Sequence, residues 1–151
     1  MPEDRDSVIL HYNQMRDSLL AAIEGLSDAL LTEPTLDGWS VKDHLAHIAL
    51  WDETRANEVL RVSAGYAPAW QHMSGEQNEA YNVLTQAMRA GLSPEQVRWE
   101  LATTHQRLLD AIASATERGL DPLLYREAGL RGTHEAVHTG WIRRWRGEKG
   151  I

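Results

Sequence analysis

Apolar residues recur at steps of three and four along almost the whole chain, and no segment alternates with period two for long enough to make a strand. A chain patterned in this way can bury its apolar surface only by packing helices on one another. Val8, Tyr12, Met15, Leu19, Ile23 and Leu26 draw one stripe, which predicts a first helix starting between Asp4 and Ser7, in a segment ended by Pro34 and Gly38. Ser40 followed by Asp43 is a capping-box-like start, so a second helix is expected from Ser40 to Arg61. Gly65, Pro68 and Gly75 mark an ordered connection whose Tyr66 and Trp70 cover one end of the bundle, and residues 76–90 read as a shorter helix stopped by Gly91. Ser93-Pro94-Glu95-Gln96 opens a third long helix: Ser93 can cap, Pro94 suits the first helical position, and Gln96 can close the box. That helix carries Val97, Leu101, His105, Leu108 and Ile112 toward Gly119, and a last helix runs from Thr133 to Arg146. The expected fold is all-α, a single-domain four-helix bundle with one additional short helix.

Composition narrows the chemistry. With 151 residues the chain has the length of one domain. Its net charge of −7 weighs against a nucleic-acid partner bound through phosphate neutralisation. No apolar run approaches the roughly 20 residues that cross a bilayer, and the start has no basic-then-apolar signal pattern, so no membrane partner and a cytoplasmic location are expected. Cysteine is absent, which removes disulfides, thiolate metal sites and a catalytic thiol. Seven histidines stand beside six tryptophans and no phenylalanine.

The last helix concentrates the histidine chemistry. At about 100° per residue, His134, His138, Trp141 and Trp145 fall within roughly 60° of one another, flanked by Val137 and Ile142, and this stripe is expected to face the core. Two imidazoles at i and i+4 on an inward face can converge on one metal ion. The run His134-Glu135-Ala136-Val137-His138 also resembles the zinc-protease motif, although Glu135 sits about 100° off the ligand face, where its charge suits a helix start. A third ligand is available from His44 or His47 on the second helix, if the amino-terminal ends of the two helices meet at one end of the bundle. Three imidazoles with an open fourth position are what a catalytic metal keeps. The plainer alternative is a set of core histidines bonded to their neighbours.

The run from Gly38-Trp39-Ser40 through His44-Leu45-Ala46-His47 to Trp51-Asp52-Glu53 resembles the second-helix signature of the DinB/YfiT-like superfamily, particularly its ClbS/DfsB-type branch. The leading Trp-Ser, the histidine eight residues after that tryptophan and the tryptophan four residues further on all match. Leu26 to Leu30, Glu33-Pro34, the Asn78 region, Thr104-His105 and the closing His134 and His138 follow in family-like order. The resemblance implies a four-helix bundle, often a homodimer, with a divalent metal on three histidines that correspond to His47, His134 and His138. Characterised members include thiol S-transferases that use bacillithiol or mycothiol, a thiol-dependent isomerase and a resistance protein acting on a reactive cyclopropane genotoxin. Some ClbS-type members lack the histidine set, so fold and metal transfer separately.

Periodicity and resemblance disagree at one point. The stripe of Val41, Leu45, Ile48, Trp51, Arg55 and Val59 is centred about 100° from His47 but only about 40° from His44. The spacing from Trp39 favours His47, leaving His44 as a surface residue, a group that orients a ligand from behind, or a substitute ligand. His105, mid-stripe on its helix, is either a satisfied buried histidine or a further group near the site, while His11 and His72 belong to no pattern. Trp141 and Asn78 are candidate pocket residues, the latter together with Tyr81 on the family pattern alone, and Glu135 is a candidate proton acceptor. The expected cofactor is Zn²⁺ or Ni²⁺ on neutral imidazoles, and the expected function is transfer of a low-molecular-weight thiol to an electrophilic small molecule. Metal-assisted hydrolysis and a non-catalytic binding protein are the alternatives.

Overall fold

The computed structural model describes residues 1–70, 73–125 and 129–151; His72 lies outside them. The elements in chain order are α1 (Arg5–Ile23), α2 (Asp28–Thr32), α3 (Val41–Ser63), α4 (Gly75–Arg89), α5 (Pro94–Ala113) and α6 (His134–Lys149), with short 3₁₀ turns at Arg118–Leu120 and Pro122–Leu124. No strand occurs among the described residues. α1, α3, α5 and α6 form the bundle: α3 packs along α5, α1 lies against both α6 and α5, and α6 meets α3. α4, the short helix expected over 76–90, leans mainly on α3.

The helix starts follow their capping chemistry. Asp4 accepts from the Ser7 amide. Ser40 and Asp43 form a complete capping box, and Ser74 with Gln77 forms a second one that the sequence reading passes over. At α5, Ser93 accepts from the Gln96 amide with Pro94 in the first turn, but the Gln96 side chain does not return the bond.

The helix ends are sharper than the periodicity suggests. α1 stops at Ile23 because Gly25 takes a positive φ of 78°. Leu26 therefore reaches the core from the following loop, and α2, capped by Ser27, is an element that the apolar pattern does not announce. α5 ends at Ala113 rather than near Gly119, and the remaining stretch turns as 3₁₀. α6 runs three residues past Arg146 to Lys149, where Gly150 closes it in the left-handed conformation.

The core is divided. One apolar cluster gathers Leu19, Val41, Leu45, Ile48, Leu101, Ile142 and Trp145; the other gathers Val8, Tyr12, Ala56, Val59, Leu108, Ile112 and Leu130. Between them on their helices lie Arg16, Asp52 and Thr104, all buried, and Glu135 of α6 joins this layer. The Arg16 guanidinium donates to Glu135 through Nε (3.1 Å) and Nη2 (3.0 Å), to Asp52 Oδ2 (2.5 Å) and to the Leu101 carbonyl (2.8 Å). Burial works to lower the Arg16 pKa, but the hydrogen bonds to Glu135 and the charge of Asp52 outweigh it and hold the group above its ordinary value.

This layer corrects the reading of α6. Glu135 and Thr139 are buried with His138, Ile142 and Trp145, whereas Val137 and Trp141 are about half exposed. The inward face is rotated toward Glu135 because Arg16 draws that carboxylate into the bundle. Removing one partner of such a buried set leaves uncompensated charge. Arg16→Met is expected to cost about 3–5 kcal/mol of folding stability, read as a lowered urea midpoint; an effect below about 1 kcal/mol, the range of exposed pairs, would contradict the account.

Candidate metal centre

α3 and α6 deliver the histidines by their first turns. The Ser40–Asp43 box fixes where α3 begins, so His44 and His47 face inward within its first two turns. α6 opens on His134 itself, with Thr133 at the cap position but no side-chain cap bond. His47 Nε2 lies 3.0 Å from His134 Nε2, and His138 Nε2 lies 3.0 Å from the same atom. All three ligand atoms fall within 4.8 Å of one another. Tetrahedral ligands about 2.0–2.1 Å from a zinc ion stand roughly 3.3 Å apart, so this spacing fits a small divalent cation. A neutral imidazole nitrogen is either a donor or a single-pair acceptor, so three converging nitrogens cannot all satisfy each other. A cation satisfies all three.

The electrostatics favour the ligating form. Burial, then the neighbouring His134 and His44 and the Arg89 guanidinium, push His47 down to about 3. Burial and the Arg55 charge take His134 to about 4. His138 falls to about 2, through burial and then His134, His44 and His47. All three imidazoles therefore favour the neutral form at pH 7, the form that can offer a lone pair to a metal.

The surroundings explain why both α3 histidines are buried. His44 is fully buried, its Nδ1 2.7 Å from His138 Nδ1 and its Nε2 3.3 Å from the Asp37 carboxylate. It thus stands behind His138, on the ring nitrogen that does not face the cluster. The helical wheel centres on one stripe, but α3 is packed by α2, α4, α5 and α6. Every residue from His44 to Leu50 is buried, so a position 100° from the stripe centre is still inside. Trp39 lies against His44, His47 and His138, and Trp51 meets His47 and His134 edge-on.

The remaining candidates separate. A cavity of about 260 Å³ opens beside His134, walled by Trp51, Trp70, Asn78, Asp52, Arg55 and Glu135 among others. Asn78 lines this cavity, while Tyr81 touches Trp51 from outside it. Trp141 packs on His138 and His44 at the other side of the cluster and does not line this cavity. Glu135 is in the wall, but both its oxygens receive bonds from Arg16. His105 is not brought to the cluster: its Nε2 lies 3.0 Å from Asn13 Oδ1 between α1 and α5, and burial pushes its pKa down to about 4. His11 donates from Nε2 to the Gly132 carbonyl at 3.0 Å, tying α1 to the approach of α6. Arg16, Asp37, Asp52 and Asn82 are participants that sequence reasoning misses; only the burial and contacts of these polar groups mark them.

The fold and an inter-helical three-histidine cluster define a bundle protein that could hold a divalent metal. The family model of the DinB superfamily matches residues 11–142, and the chain belongs to that superfamily. An uncharacterised protein of Escherichia coli UTI89 has a similar crystal structure, with a TM-score of 0.79 at 16% identity over 100% of this chain and 97% of that one. TT2238, described as a four-helix bundle protein, gives a TM-score of 0.62 at 21% identity over 93% of this chain and 99% of that one. These likenesses show the shared fold. No curated protein matches the sequence. No described helix is long and apolar enough to cross a membrane.

The histidine shifts set a pH dependence for the metal-free protein. An unfolded histidine takes up a proton near pH 6.5, but the folded cluster resists until about pH 4 or below, so acid favours the unfolded chain. Stability is full above about pH 6.5 and falls progressively as the pH drops toward 4. Asp52, pushed up to about 6 by burial against the pull of Arg16, acts in the opposite sense, but it is one group against several. Urea midpoints across this range should fall with acid in the metal-free protein and flatten in the His134→Gln/His138→Gln variant; equal slopes in the two would contradict the assignment.

Proposed function

We propose that the protein is a divalent-metal-dependent enzyme that transfers a low-molecular-weight thiol to an electrophilic small molecule. His47, His134 and His138 would hold Zn²⁺ or Ni²⁺, and the convergence of their three Nε2 atoms is the observation that carries the reading. A bound cation would supply Lewis acidity, lowering the pKa of an incoming thiol at neutral pH. Three neutral imidazoles leave the full charge of the ion in place and a fourth position free. Trp39 and Trp51 pack against the cluster, while the cavity beside His134 offers room for a small molecule. With no cysteine in the chain, the sulfur has to arrive with a cosubstrate.

Glu135 suits this chemistry as a positioning residue rather than a free base. Its bonds to Arg16 hold the first turn of α6, and with it His134, at the bundle interior. Hydrolysis in the manner of the zinc-protease motif would need that carboxylate for water, which disfavours the hydrolase reading. A homodimer acting in the cytoplasm on small molecules, as the resemblance implies, belongs to the same proposal.

Elemental analysis after growth in metal-replete medium tests the site. Near-stoichiometric metal is expected in the protein and almost none in the His134→Ala/His138→Ala variant; equal, near-zero content in both overturns the metalloprotein reading. In metal-loaded protein, thiol consumption with a model electrophile separates transferase from binder. Groups that orient a metal ligand from behind typically contribute 10–100-fold to affinity, so His44→Ala should weaken metal binding by about that factor while His105→Ala leaves it unchanged.

A further inference from the structure

We propose that the cavity beside His134 takes a small molecule bearing a carboxylate, and that Arg55 receives it. The inference deepens the functional reading above by naming its substrate class, but it rests on residues outside the histidine cluster. Arg55 occupies a position of the α3 stripe shared with Val41, Leu45, Ile48 and Val59, where periodicity calls for an apolar side chain. Its guanidinium lines the cavity together with His134. Nη1 donates to the Gly129 carbonyl at 2.9 Å, and the Tyr12 hydroxyl lies against the group. Among the described residues no carboxylate pairs with it: Asp52, one turn earlier on the same helix, is taken by Arg16.

The backbone makes room for this cation. A Cβ on Gly132 would fall 2.6 Å from Arg55 Nη2 and 3.0 Å from Cζ, so the guanidinium fills space that any other residue would occupy. An arginine half-buried without a carboxylate costs stability unless something anionic completes it. The charges in the same wall support an anion. Arg16, Asp52 and Glu135 together carry one surplus negative charge when both acids are ionised, Arg55 balances it, and a dication on neutral imidazoles would leave the cavity positive.

The size and the second polar contact narrow the ligand. One planar guanidinium matches a carboxylate in a two-pronged contact, whereas a phosphate dianion calls for a second cationic side chain, and Arg55 is the only arginine or lysine among the described residues of the wall. Across the cavity, Asn78 Oδ1 on α4 is buried with no hydrogen-bond partner, which asks for an N–H or O–H on the ligand. Trp51 and Trp70 supply the apolar side. A compact acid with an amide or hydroxyl donor fits about 260 Å³.

Calorimetric titration with N-acetylcysteine and its uncharged carboxamide tests this, on metal-stripped and on zinc-loaded protein. The charged probe should bind about ten- to a hundredfold more tightly in both forms, the range of a charge-assisted bond. That preference should vanish in Arg55→Gln and survive in part in Arg55→Lys. Equal affinities for the two probes, no binding of the charged probe by the stripped protein at millimolar concentration, or an undiminished preference in Arg55→Gln each overturns the proposal. The comparison of probes on unmodified protein stands even where Arg55→Gln fails to fold. N-acetylalanine on zinc-loaded protein locates the source: weaker binding than N-acetylcysteine assigns the carboxylate to the thiol, and equal binding assigns it to the electrophile. Failure of metal loading sinks the metalloenzyme reading and leaves the stripped-protein arm to decide Arg55.

Discussion

The Arg16 guanidinium is the contact on which both the bundle and the site depend. It sits between two apolar clusters and joins α1 to α3 through Asp52, to α6 through Glu135 and to α5 through the Leu101 carbonyl. Apolar packing alone is tolerant of sliding and rotation, because many arrangements of leucine and isoleucine bury similar area. A buried ion set is not tolerant: its partners must meet at one register or leave charge unpaired. The four bundle helices are thus fixed relative to one another at the level where the cavity opens.

That register reaches the histidines through a single peptide unit. Glu135 follows His134, and α6 has no side-chain cap to define where it begins. The Arg16–Glu135 bond and the His11 bond to the Gly132 carbonyl hold its first turn from two sides. On the opposing helix the Ser40–Asp43 box performs the same task for His44 and His47. Convergence of three nitrogens from two helices follows from these local anchors, with Trp39 and Trp51 packed on the imidazoles and burial favouring their neutral form.

The elements legible in the sequence were those whose cause is local. Ser40 with Asp43 and Ser93 with Pro94 announce helix starts from neighbouring residues, and the period of Val97, Leu101 and Leu108 announces a buried face. His134 and His138 were legible as a pair because helical spacing alone aligns them. What was not legible depends on partners distant in sequence. Arg16 and Asp52 are charged, and a charged residue reads as surface until its counter-ion is seen. Glu135 was read as a helix-start acid because the rotation of α6 toward Arg16 is set 119 residues away. His47 needed the resemblance, since the wheel assumes one buried face and α3 has several.

The division of labour among the charged groups bears on the chemistry. Asp52 and Glu135 could have neutralised a cation on the histidines, as acidic ligands do, but the structure commits both to Arg16. The ligand set is left wholly neutral, which maximises the electrophilicity that a bound dication retains. The same commitment leaves Arg55, in the wall shared with His134, without a carboxylate partner among the described residues. On the proposed reading an anionic reactant would therefore meet Arg55 and a bound cation in one cavity, one to orient it and one to activate it, with both buried carboxylates held by Arg16 behind them. Binding and activation would then draw on the same electrostatic asymmetry, which a charged core residue on α1 creates.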